Sequence, residues 1–513
     1  MKNLLKYTLI AAIFAGASAC TKLDENLPGS FTKSFTPSNP GVGIKNNVNK
    51  AQPVDGLQGA FSRVLNGTAG NGGFFAVQEG GTDEAVITQK GGDWYDGGLY
   101  IKMHHHEYTP QTWGINDAWN DSYGGIYQCN TLLENPDVNV SAAKVAQLRF
   151  LRSYFYWRLL DVFGNVPVVL STAGGAAQST RANVYAFIEQ ELLDAMPDLP
   201  PGHQDYGRAS QGSANALLSR LYLNAEVYTG TPQWDKTIAA ADEVINSGVY
   251  DISPEYGPIF DPRNVDNIEH IFVAPFDEAT GGGAVWPFMT LHYPSQLTYK
   301  LTMQPWNGFS SLEEFYNSYS ASDARKAVNF IAGPQYDYNG APILDLAFDK
   351  ADPDGAPINY TPAINELYPN ASRQAGVRFG KFAFKIGQGG SADNDFPLLR
   401  YTEVLFNKAE ATARKNGNWA DGGAQSVIAP VLTRAGGVAA PSTQGEWLAE
   451  RGREFFVEAF RRTDLIRYGA YGNSWWENPG DADIATHKLM AIPIEQIQAA
   501  ASTSFPLNQN PGY

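Results

Sequence analysis

Between residues 211 and 250 the chain reads QGSANALLSRLYLNAEVYTGTPQWDKTIAAADEVINSGVY, and this stretch restricts the possible folds more than any other. Leu217, Leu221, Ala225 and Tyr228 recur at helical spacing, and after Thr229-Gly230-Thr231-Pro232 a second stripe follows at Ile238, Ala241 and Ile245. Each segment therefore has one apolar helical face, and together they predict an αα-hairpin. Ala225, Ala239, Ala240 and Ala241 let two helix backbones approach closely, Pro232 stands where the second helix begins, and Gly248 where it ends. Such a hairpin cannot bury both faces alone, so it predicts neighbours stacked on it as a tetratricopeptide-like array.

Other segments repeat the pattern. Residues 116–133 and 142–162 are periodic, the latter with Leu148, Leu151, Phe155 and Leu159 on one stripe; residues 184–196 form another amphipathic segment. Helical pattern returns at LLRYTEVLFNKAEATARKNG, where Tyr401, Leu405 and Ala409 share a face, and at 446–468, read as one helix with Leu448, Phe455 and Ala459 on one side. A shorter helix is expected around Leu57, Phe61 and Val64. Residues 251–397 lose this periodicity and are rich in Gly, Pro, Asn, Asp and aromatics, which predicts either a second subdomain of short strands and loops or a large insertion between helix pairs. The expected fold class is mainly α: stacked helix pairs with a large irregular subdomain.

The N-terminus carries a processing signal. Lys2 and Lys6 precede an apolar run from Leu9 to Ala19 that is too short to span a bilayer, and Ala17-Ser18-Ala19-Cys20 follows. This resembles a bacterial lipoprotein signal, in which residues 1–19 are removed and Cys20 is lipidated. Residues 20–50, rich in Pro, Ser, Thr, Asn and Gly, read as a tether. Residues 51–513 are expected to form one body: helices over about 51–250 and 398–470, the irregular part over about 251–397, and a C-terminal tail over 471–513, whose terminal residues Asn508 to Tyr513 are expected to dock on the body. With Cys20 acylated, the one other cysteine, Cys129, has no disulfide partner and is expected as a buried thiol.

The formal charge of −16 and the pI near 4.9 disfavour nucleic acid and electrostatic docking on anionic lipid, and fit a neutral ligand. No GxSxG, Walker loop or HExxH occurs. Asp83, Glu84, Asp93 and Asp96 are read as turn and cap carboxylates rather than a hydrolytic pair. His104, His105 and His106, taken as extended, point to alternate faces and do not chelate. Glu450 with Arg453, and Glu458 with Arg461 or Arg462, have the spacing of helix-surface pairs, with Arg462 or Asp464 capping neighbours. No catalytic residue, metal site or cofactor is expected.

Several blocks, in order, carry a family resemblance: Cys20 followed by Leu23-Asp24, AQLRFLRSYFYWRLLDVFGNVPVVL, LLSRLYLNAEVYTG with VINSGVY, LLRYTEVLFNKAEA, LAERGREFFVEAFRRTDLIRYG and the terminal QNPGY. Together they resemble the SusD/RagB family of Bacteroidetes surface lipoproteins over nearly the whole chain. Gly452 and Ala459 depart from the pattern, standing where the family often shows Arg and Gly. The resemblance implies a tetratricopeptide-like fold anchored on the outer membrane, binding a glycan without chemistry, and partnered by a SusC-like TonB-dependent transporter. A peptide-presenting lipoprotein of the same fold and a secreted glycoside hydrolase are the alternatives.

Tryptophan marks where a ligand site can be sought. Trp119, Trp157, Trp234, Trp419 and Trp447 lie in or beside helical patterns and are assigned to core, which leaves Trp94, Trp113, Trp286, Trp306, Trp475 and Trp476. Sugars present flat C–H faces bordered by hydroxyls, so exposed aromatics beside Asp and Asn are their complement. Trp94, Tyr95, Trp286 and Trp306 are therefore expected as stacking platforms, with Asp93 and Asn307 as hydrogen-bonding partners.

Overall fold

A computed structural model describes residues 55–202, 205–278, 284–346 and 355–513. The signal segment, Cys20 and the tether lie outside the described residues. The fold is mainly helical. The helices that matter here are α1 (Gly73–Glu79), α2 (Trp113–Leu133), α3 (Ala142–Val162), α4 (Arg181–Ala195), α5 (Gln211–Leu223), α6 (Trp234–Asn246), α7 (Tyr401–Lys415), α8 (Gly422–Arg434), α9 (Gln444–Phe455) and α10 (Arg461–Arg467). Along α2 to α8 each packs on the next, α6 lying against both α5 and α7 although 154 positions separate Asn246 from Arg400.

Local chemistry sets the ends. Ser141, Thr180 and Asp421 each accept a main-chain N–H of the first helical turn, and Ser210 and Thr443 form reciprocal capping boxes with Ser213 and Glu446. The central hairpin forms as expected, with two adjustments. Its first helix breaks at Asn224, whose side chain bonds the Arg220 carbonyl, before a short continuation over Ala225–Thr229 that Gly230 ends in the left-handed region. On α6 the buried stripe is Thr237, Ala240, Ala241 and Val244, while Ile238 and Ile245 are only half-buried, so the inward face is rotated from the expected one.

The segment read as one helix over 446–468 is two, α9 and α10, separated by a turn at 456–460. Val457 and Ala459 there have φ of 51° and 63°. The turn is held from distant parts of the chain: Glu84 Oε1 accepts the Val457 N–H (3.0 Å), Glu79 Oε1 accepts the Ala459 N–H (2.6 Å), and Lys381 Nζ donates to the Glu454 and Phe456 carbonyls (3.0 and 2.9 Å). These contacts satisfy main-chain groups that a continuous helix would have bonded internally.

The expected surface pairs are correspondingly different. Glu450 does pair with Arg453 (2.6 Å), but Glu458 is buried against Lys381 and Arg400, Arg461 grips Asp83 through two bonds (2.6 and 2.7 Å), and Arg462 caps the Lys488 carbonyl (2.5 Å). Glu454 sits among Arg325, Arg400 and Arg434; burial alone would raise its pKa, yet these guanidiniums hold it well below the usual carboxylate range. This network ties the irregular segment to α9.

Residues 251–397 contain short strands and turns. His270–Ala274 pairs antiparallel with Phe396–Arg400, and Ala85–Ile87 with Phe309–Ser311, so the N-terminal region and the irregular region share ladders. A continuous apolar core runs beneath both halves. Cys129 is buried and its thiol is pushed up to about 12 by desolvation. At the C-terminal end the Asn510 amide donates to the Phe163 and Met490 carbonyls, and the Tyr513 hydroxyl to that of Leu489.

Candidate functional site

The N-terminal stretch holding residues 71–96 and the irregular region 251–397 meet at a surface cleft of about 460 Å³ lined by Asn71, Asp93, Trp94, Asp96, Tyr293, Gln304, Pro305 and Trp306. Its floor begins with a tight turn in which Lys90 and Asp93 exchange two main-chain bonds (3.0 and 3.1 Å). Lys90 itself is buried; its ammonium, which desolvation makes easier to deprotonate than usual, donates to the Thr88 and Gly308 carbonyls and so joins the two segments from below. Trp94 follows with φ of 62° and Asp96 with φ of 40°, a backbone region sparsely used by side-chain-bearing residues and often found at binding sites.

That conformation turns the Trp94 indole across the boundary. Its Nε1–H donates to the Trp306 carbonyl at 2.6 Å, and its ring meets Tyr100 edge to face at 5.5 Å. Gly308 allows the approach: a Cβ there would lie 2.6 Å from the indole. Tyr100 is fixed in turn by two bonds with Asn71, its hydroxyl raised to about 12 by burial. Opposite, Trp306 packs tilted on Phe288 at 5.7 Å and keeps 38% of its surface exposed. The Tyr293 hydroxyl donates to Asp93. Among the described residues the lining thus carries aromatic faces, two carboxylates, two amides and no cation, a surface suited to a neutral, hydroxyl-bearing ligand.

Of the six residues expected from sequence, Trp94, Trp306 and Asp93 come together here. Tyr95 is exposed at 53% but does not line the cleft. Trp286 is not a platform: it is 2% exposed, stacked on Phe382 at 4.7 Å with an interplanar angle of 1° and met edge-on by Phe75 at 4.7 Å. Burying the indole between these rings removes far more apolar area from water than a surface position would. Asn307 is buried as well, its amide donating to the Arg373 carbonyl (3.1 Å) and accepting from Arg378 (2.8 Å), so it shapes the loop behind Trp306 instead of facing a ligand. Sequence reasoning missed Asn71, Asp96, Gln304 and Pro305 as lining residues; the last two are neighbours of Trp306 in QPWNG, which is the one local signal for them.

The remaining motifs resolve differently. Asp83 and Glu84 neither cap nor turn but contact Arg461 and the 456–460 turn. His104 ends a short helix, so the histidines are not extended; His104 and His106 bond the Trp476 and Gly81 carbonyls (2.7 and 2.9 Å), and burial lowers both to about 4. Trp119, Trp157 and Trp447 are core, whereas Trp234 and Trp419 are half-buried.

Comparison with known proteins agrees with this architecture. The SusD family signature matches residues 268–513, and one described as "Starch-binding associating with outer membrane" matches residues 78–223. Starch-binding protein SusD of Bacteroides thetaiotaomicron is 24% identical, over 100% of this chain and 99% of its own length. SusD-like protein P25 of Formosa agariphila is 24% identical, over 76% and 78%. Among solved structures, a laminarin binding SusD-like protein superposes with a TM-score of 0.71 at 22% identity, covering 92% of this chain and 100% of its own. Surface glycan-binding protein A from Bacteroides thetaiotaomicron, in complex with laminarihexaose, gives 0.69 at 21%, covering 88% and 98%. From the ordered sequence blocks, the stacked helix pairs and these matches, the chain belongs to the SusD/RagB family.

Proposed function

We propose that this protein captures a glycan at the outer face of the outer membrane, with the cleft between residues 93–96 and 304–306 as its binding surface. The observation that carries this reading is the locked pair Trp94 and Trp306: an indole hydrogen-bonded to its neighbour's carbonyl, beside a half-exposed second indole, in a cleft with no cation among its described lining residues. Aromatic faces stack on the C–H faces of sugar rings, while Asp93, Asp96, Asn71 and Gln304 offer hydrogen bonds to hydroxyls. The relatives' names, starch-binding and laminarin-binding, support the ligand class. It is a binding protein and not an enzyme.

Lipidation of Cys20 holds it at the membrane, and a SusC-like TonB-dependent transporter receives the captured glycan. The test is calorimetric titration of the protein lacking residues 1–20 with a panel of polysaccharides that includes starch and laminarin. Saturable binding without released sugar is expected. A folded protein that binds none of the panel would overturn the ligand class, and recovery solely as a free monomer from gently solubilised outer membranes would overturn the transporter partnership.

A further inference from the structure

A second cavity, of about 360 Å³, opens on another part of the surface and shares no lining residue with the cleft. It gathers three motifs that the cleft leaves unused: Asp83 from GTDE, Arg461 from α10, and Trp475 from the Trp475-Trp476 pair. Its walls are Leu312, Phe315, Leu448 and Leu465 beside the Trp475 ring, and its mouth carries Asn473, Ser474 and Ser318. The size falls at the lower end of small-molecule sites, roughly 300–1,000 Å³.

The charges narrow the ligand. Arg461 is the cation of the lining, and three of its five N–H groups are engaged, two on Asp83 and a third on the Leu448 carbonyl (2.9 Å). Its charge is already matched by Asp83 and by Glu84 at 3.7 Å, and Glu314 at the rim adds negative charge, a balance that disfavours a phosphate, sulfate or uronate. What remains is an apolar and aromatic wall edged by neutral amide and hydroxyl groups and by carboxylate acceptors. Trp475 is backed by His106, edge to face at 5.2 Å, and His106 by Tyr471, stacked at 4.2 Å, so the ring is held before any ligand arrives.

We propose that this cavity is a second carbohydrate-binding pocket, which takes one neutral sugar unit of a chain against Trp475 and the Leu312–Phe315 wall, with Asn473 and Ser474 bonding its hydroxyls. The ligand class rests on the glycan reading of the cleft; the pocket itself does not. A protein with two such sites holds a long polysaccharide at two points, which raises avidity without tightening either contact.

Hydrogen exchange read by mass spectrometry reports the two sites separately. With laminarihexaose, and in parallel maltohexaose, at millimolar concentration, slowed exchange is expected both in segments 312–318 and 470–476 and in segments 93–96 and 304–306. Ala470→Trp, which fills the pocket, should abolish the first protection and leave the second, and Trp306→Ala should do the reverse. Because a bulky substitution can fail to fold, the exposed pair Asn473→Ala with Ser474→Ala supplies a milder variant, expected to weaken the pocket's protection about fivefold. Protection confined to the cleft would overturn the second pocket while sustaining the first site. Protection confined to the pocket would do the opposite, and protection at neither, with both sugars, overturns both.

Discussion

The indole N–H of Trp94 donates to the main-chain carbonyl of Trp306 at 2.6 Å, across 212 positions of sequence. Because the acceptor is backbone, removing the Trp306 side chain leaves Trp94 anchored. Trp306→Ala should therefore lower affinity for the best polysaccharide about tenfold or more while the melting temperature stays within a degree or two. Titration and a thermal melt on the same sample check both halves; unchanged affinity would remove Trp306 from the site.

Trp286 should behave in the opposite way. Its ring fills the space between Phe382 and Phe75, so Trp286→Ala should cost about 3–5 kcal/mol of stability. Denaturant unfolding measures this. A loss under 1 kcal/mol would mean that the ring is not part of the core.

Ala459 holds a φ of 63°, where a Cβ is costly. Ala459→Gly should stabilise the protein by roughly 0.5–1 kcal/mol, the relief of strain exceeding the added freedom of the unfolded chain. A lower denaturation midpoint in the variant would show that the turn is not strained.

The turn also predicts a pH dependence. Burial, and then the adjacent Glu84, raise the pKa of Glu79 well above the ordinary range; burial lifts Glu84 to about 7 against the pull of Arg461, with Asp83 adding to the rise. A carboxyl whose folded pKa exceeds its unfolded value favours folding most while protonated. This contribution is whole below about pH 4.5 and is lost as the pH rises through about 7. Glu84→Gln keeps an acceptor for the Val457 N–H and cannot ionise, so its melting temperature should gain on the natural protein between pH 5 and pH 8. Parallel curves would rule the pair out as the source.

For the anchor, Cys20→Ala should abolish fatty-acid labelling and release the protein from the membrane fraction. Equal labelling of the two chains would refute lipidation at this residue.

The helix pairs are legible in the residues alone, because a buried stripe repeats every three or four residues: residues 142–162 are the helix Ala142–Val162. The sequence also located the two segments that meet at the cleft, since aromatic-rich stretches without periodicity have no helical face in which to bury their rings. It did not distinguish Trp286 from Trp306. Both stand beside a proline in the same irregular region, and what separates them is the presence of Phe75, Phe382 and Phe396 around the first, all brought from elsewhere in the chain. The break between α9 and α10 was hidden for the same reason. Its amides and carbonyls are bonded by Glu79, Glu84 and Lys381, and no local pattern announces a partner that lies 373 positions away, as Glu84 does from Val457. Periodicity reports which face of an element is buried; which ring or main-chain group meets another across the fold is decided only when the chain has closed on itself.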